Sequence, residues 1–125
     1  MLNEQKVIKI IKEELKTMEK PKKYRDNKRK HWLYGFCYPA TLAFYHYFGG
    51  KNSKYKVVCA KDNYGIIHYW LKNKETNEVI DITREQYTDL GLKLPYDNEK
   101  RKCDYRLSIE AKKLLKKLKE KEKNE

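Results

Sequence analysis

Apolar residues near the start of the chain recur at helical spacing. Val7, Ile8, Ile11, Leu15 and Met18 share a face with Lys and Glu between them, which predicts an amphipathic helix over residues 3–19, closed by Pro21. The next stretch, "KPKKYRDNKRK" (20–30), has no apolar period. It reads as part of a solvated basic linker over residues 21–33, in preference to an electrostatic rim beside a cleft. A second helix is expected over residues 37–48. Pro39 suits its first turn, where a missing N–H does no harm, and Gly49-Gly50 suits its C-terminal cap.

The pattern then changes to that of strands: "YKVVCA" (55–60), "GIIHYWLK" (65–72) and "EVIDIT" (78–83). The last two flank a polar turn and form a hairpin. A four-residue loop "NKET" (73–76) sets Lys72 opposite Asn77 and therefore His68 directly opposite Asp81. Ile67, Tyr69 and Leu71 then point one way, and Ile66, His68 and Trp70 the other. "REQYTDLG" (84–91) suggests a short helical turn, and residues 92–105 read as irregular. Ser108 caps a last helix to about residue 122, with Ala111, Leu114, Leu115 and Leu118 as its stripe, while "KEKEKNE" (119–125) has nothing to bury and is expected to fray.

These elements predict a single α+β domain over residues 1–125. A central helix with a cysteine at its N-terminus packs on a small antiparallel sheet of about three strands. Helices over 1–20 and 108–125 flank a core over 34–107.

Composition suits one modest core: 125 residues, 39% hydrophobic, with 11 tyrosines against 3 phenylalanines. Tyrosine buries a ring while keeping a wet hydroxyl, which suits a polar cleft. The net charge of +12 first suggests nucleic acid. Its distribution weakens that reading. Residues 1–30 and 100–125 each carry +6, and residues 31–99 carry zero. Lysine outnumbers arginine 25 to 5, whereas bidentate phosphate recognition favours arginine. The basic termini remain a weak contact for nucleic acid or an acidic partner.

Cys37, Cys59 and Cys103 form no CxxC pair, and their odd number does not suggest a disulfide framework. A reducing cytoplasm is the expectation, with Cys59 a buried small hydrophobe of its strand. No ligand-spaced Cys/His pairs point to zinc, and no metal or other cofactor is expected. No segment has the apolar length of a membrane span, so no membrane partner is expected.

The candidate chemistry is a triad of Cys37, His68 and Asp81. A helix N-terminus stabilises the thiolate, the reactive form of cysteine. Gly35 lets a substrate carbonyl approach, and the Cys37 backbone N–H could donate to an oxyanion. His68 would take the thiol proton and return it to the leaving group, and Asp81 would hold the imidazole. His46 lies nine residues along the helix, on the side opposite Cys37, and is a poor partner. Tyr38, Ile66, Tyr69 and Trp70 are candidate cleft walls alongside Gly35. A lone strand histidine is otherwise a packing residue, and an Asp near a strand end a turn residue.

The runs "GFCYPATLAFYHYFGG", "IIHYWLKN…NEVIDIT" and "REQY" resemble a family of small phage and bacterial proteins of the YunG-like kind. The shared positions are Gly35, Cys37, Gly49, Gly50, His68, Asp81, Thr83, Gln86 and Tyr87, and the late "LSIEAKKLLKKL" resembles the family's closing helix. The chain departs from that pattern at Phe36 and Ile82. The order Cys, His, Asp on helix, strand and strand is similar to the papain-like and transglutaminase-like superfamily. The resemblance implies a thiol hydrolase or acyltransferase acting on a peptide, amide or thioester. It also implies a side-chain oxyanion donor upstream of Cys37, where His31 and Asn27 lie. The alternative is a non-enzymatic binding protein on the same scaffold, a phage accessory factor with a nucleic-acid or acidic protein partner.

Overall fold

Asn3 opens the first helix. Its side chain accepts from the Lys6 N–H at 2.8 Å, and helix α1 runs Glu4–Leu15 with Val7, Ile10, Ile11 and Leu15 buried. The computed structural model describes residues 1–100 and 103–125. The helix is shorter than the expected 3–19: it stops well before Pro21, which instead precedes a single 3-10 turn, Lys22–Tyr24. Helix α2, Cys37–Tyr47, is buried on nearly every side, as a helix with apolar residues all round must be. It ends at Gly49, whose φ of +111° is left-handed and costs a glycine little.

Strands β1 (Tyr55–Lys61), β2 (Ile67–Asn73) and β3 (Val79–Ile80) form one antiparallel sheet in the order β1-β2-β3. Helices α3 (Glu85–Thr88) and α4 (Ile109–Lys123) complete an α+β fold of four helices and three strands among the described residues. The main core lies between α1, α2, α4 and one face of the sheet, with Val57 and Leu71 turned into it. A smaller cluster of Val58, Ala60 and Trp70 fills the opposite face, closed by Tyr96.

Four expectations need correction. The hairpin register differs: Leu71 faces Ile80 and Lys72 faces Val79. The loop is four residues long but lies over 74–77, one position later. The Asn73 side chain accepts from the N–H groups of Glu75 and Thr76, and Asn77 closes the turn at φ +61°, so local asparagine chemistry sets the loop. His68 is therefore offset from Asp81 by two residues rather than directly opposite. A two-residue shift keeps both on one face.

The segment 119–125 does not fray at its start. Helix α4 continues to Lys123, and Glu122 accepts from the Tyr47 hydroxyl at 2.7 Å and pairs with the N-terminal amine at 3.4 Å. The basic segment is not simply a solvated linker either. Arg29 is only 5% exposed, with Nη2 donating to Asp62 at 2.8 Å and its guanidinium over the Tyr87 ring. Finally, Cys59 and Cys103 are joined as a disulfide, with Cα atoms 5.9 Å apart, against the expectation of three free thiols. The spacing rule missed this because the partners come from β1 and an irregular segment 44 residues later. No helix among the described residues is long and apolar enough to cross a membrane.

Candidate active site

Cys37 is the first residue of α2, where backbone N–H groups lack helical partners. Gly35, two residues before it, has φ +90°, and a Cβ there would lie 2.5 Å from the Tyr24 Cβ. The backbone thus approaches closely and only glycine fits. Among the described residues, strand β3 pairs only with Leu71 and Lys72, so the first half of β2 has no strand on that side. Two carbonyls of that half take side-chain donors from α2. The Cys37 Sγ lies 3.8 Å from the Ile67 oxygen, and the Thr41 hydroxyl donates to the Tyr69 oxygen at 3.3 Å. Cys37 and Thr41 therefore share a side of the helix, as their spacing predicts. His46 points elsewhere, its Nε2 3.0 Å from the Tyr105 carbonyl.

His68 follows Ile67 and is fully buried. Its Nε2 donates to Asp81 Oδ2 at 2.8 Å. Asp81 is also buried, and the same oxygen accepts from the Tyr96 hydroxyl at 2.7 Å. The His68 ring stacks on Trp70 with centroids 5.7 Å apart, and Tyr87 meets it edge-on at 4.8 Å. Imidazole orientation is thus held from three directions. With Nε2 committed to Asp81, Nδ1 is the nitrogen left for the thiol. It is buried and has no conventional hydrogen-bond partner among the described residues.

Burial pulls the His68 pKa down, but the Asp81 charge and hydrogen bond, together with the neighbouring Cys37 sulfur, override it and raise the pKa to about 9. The sulfur contributes by proximity rather than by an aligned bond to Nδ1, since among the described residues its aligned contact is with the Ile67 carbonyl. Asp81 Oδ1 is buried with no donor among the described residues, so the carboxylate is held through Oδ2 by His68 and Tyr96.

The expected cleft residues divide. Gly35, Tyr38 and Tyr69 line one cavity of about 270 Å³, with Pro21 and Tyr24. Ile66 lines a second, of about 190 Å³, with Lys23, Lys28 and Tyr34. Trp70 does not belong to the cleft: it is 0% exposed and supports His68 from beneath. His31 is not an oxyanion donor. Its Nδ1 accepts from the Leu33 N–H and its Nε2 donates to Asp89 at 2.9 Å, so both nitrogens are engaged. Asn27 is exposed, with a left-handed φ of +52°.

Three site residues were not assigned a role from the sequence. Tyr96 lies in the stretch read as irregular. Tyr87 belongs to the quoted motif without a role there. Tyr24 was placed in the linker. Each acts across a long sequence separation, and no local pattern announces it.

Compared with protein-family models, curated proteins and solved structures, the chain shows no significant match to any. The arrangement of Cys37, His68 and Asp81 must therefore be weighed on its own geometry.

Proposed function

We propose that the chain is a cysteine hydrolase acting on an amide, isopeptide or thioester through an acyl–Cys37 intermediate, on a scaffold of the papain-like or transglutaminase-like kind. One observation carries this reading: a fully buried histidine held by a carboxylate on Nε2, with a helix-N-terminal cysteine beside the ring. The sulfur, its proton passed to Nδ1, attacks the carbonyl carbon. An S–C bond forms and the carbonyl π electrons move to oxygen. The Cys37 N–H donates to that oxyanion. The C–N or C–S bond then breaks as the imidazolium protonates the leaving group. A water deprotonated by His68 attacks the thioester, releasing the acid and restoring the thiol. Asp81 keeps the imidazole oriented and favours its cation, and Tyr96 fixes Asp81. Hydrolysis is favoured over transfer because water needs no dedicated acceptor site.

Iodoacetamide tests the pair directly. At near-neutral pH it should modify Cys37 of the folded chain quickly, and His68→Ala or His68→Gln should slow labelling at least about tenfold while circular dichroism stays unchanged. Equal rates in wild type and both variants would remove the basis of the reading.

A further inference from the structure

The two cavities flank one residue, Tyr24. It lines both, as do Lys23 and Ile67, and Ile67 supplies the carbonyl nearest the Cys37 sulfur. Tyr24 sits at the tip of an arm tied down at each end. At one end the Lys20 ammonium donates to the carbonyls of His31, Trp32 and Tyr34. At the other, Arg29 is buried against Asp62. Between them the arm rests through Tyr24 on Gly35 and edge-on against Tyr34, centroids 5.4 Å apart. Cys37 beneath is only 7% exposed.

The cavities differ in chemistry. The one toward Gly65 and Ile66 carries Lys23, Lys28 and Asp26, a net positive set in which Lys28 and Asp26 lie 3.9 Å apart. The one toward α2 is walled by Pro21, Tyr24, Tyr38, Pro39, Ile67 and Tyr69. Its charged groups are Lys23, Glu110 and Asp104, and Asp104 is already neutralised by Arg106. The Tyr38 and Tyr69 rings meet edge-on at 4.9 Å, giving it a firm aromatic wall.

We propose that this groove selects an extended acidic peptide, with a carboxylate side chain in the Lys23–Lys28 cavity, a bulky apolar side chain in the Tyr38–Tyr69 cavity, and the scissile carbonyl between them beneath Tyr24. The proposal rests on the catalytic reading for the position of that carbonyl. Charge complementarity identifies the partner, since the first cavity sets the Lys23 and Lys28 ammonium groups against the single Asp26 carboxylate, next to Ile67, whose carbonyl meets the thiol. Lys23 and Lys28 are the specificity-determining residues, and Tyr24 is the divider that the peptide contacts.

The test uses dye-labelled pentapeptides combining an Asp-Glu pair with a phenylalanine, in both orders, and matched peptides with Lys-Lys instead. Binding to the Cys37→Ala chain over residues 1–125 is read by fluorescence anisotropy. Protection of Cys37 in the wild type is read as the initial iodoacetamide rate. One acidic order should bind at least about tenfold more tightly than its lysine counterpart and slow Cys37 labelling in proportion. Raising the salt and the double change Lys23→Glu, Lys28→Glu should each erase the preference, and Tyr24→Ala should weaken binding several-fold. Acidic peptides that leave Cys37 unprotected, or that protect no better than lysine peptides, overturn the proposal. Protection without His68-dependent labelling would sink the catalytic reading and leave the groove standing. His68-dependent labelling without protection would sink the groove alone.

Discussion

The Asp81 carboxylate is the main charged partner that makes the His68 cation tolerable in a dry site, with the Cys37 sulfur adding to it. That dependence has a consequence for stability. The folded pKa of about 9 lies above the ordinary value of 6.5, so between those two pH values the folded chain holds a proton that the unfolded chain has released. The stabilisation is fully present below pH ~6.5 and is lost as pH rises through about 9. Because the ring is fully buried, solvent does little to screen it. The unfolding free energy should therefore fall by on the order of a few kcal/mol from pH ~6.5 to ~9.5 in urea titrations. His68→Gln should flatten that slope, and the histidine signal in NMR should titrate near 9 in the wild type. A His68 signal titrating near 6.5 would remove the carboxylate–imidazolium pair from the account.

Elements differ in how far the sequence alone reveals them. Helices α1, α2 and α4 were legible because each has an apolar period or a capping residue within its own span. Ser108 caps α4 through its hydroxyl, which accepts from the Ala111 N–H at 3.1 Å. The hairpin was legible in loop length and side-chain face, and misplaced by one residue at the loop, because Asn73 and Asn77 decide the turn through side-chain bonds and a left-handed φ. That error moved the His68–Asp81 register by two and left the pair intact, so the triad survived a wrong register through parity alone. The arm over the site was not legible, since its anchors are Asp62 and three backbone carbonyls that no spacing rule reaches. Gly35→Ala tests how the arm and helix fit. The new methyl would meet Tyr24 at 2.5 Å on a backbone at φ +90°. It should cost about 1–3 kcal/mol by chemical denaturation. It should also lift Tyr24, so that iodoacetamide reaches Cys37 faster in the folded variant. Unchanged stability together with unchanged labelling would mean that the contact at Gly35 is not tight.

At the scale of the whole molecule, the segment between α3 and α4 connects the two faces of the sheet. Tyr96 closes the His68 face, the Lys100 N–H donates to the Cys59 carbonyl at 2.8 Å, and the Asp104 N–H reaches the Tyr69 hydroxyl at 3.4 Å on the cleft side. The Cys59–Cys103 bond lies between those contacts and ties the segment to β1. Hydrogen bonds alone would leave such a segment dependent on marginal terms, whereas a covalent link across 44 residues removes loop-closure freedom from the unfolded chain. Its reduction should lower stability by about 2–4 kcal/mol, seen as a lower guanidinium midpoint, and Cys103→Ser should match the reduced wild type. Thiol titration in denaturant should find a single reactive cysteine before reduction and all three afterwards, because Cys37 is the free one. Three thiols without reductant would mean that Cys59 and Cys103 lie close but unbonded. The wall formed by Asp104 and Tyr69 would then hang on the hydrogen bonds alone, and the cavity beside Cys37 would vary in width with them.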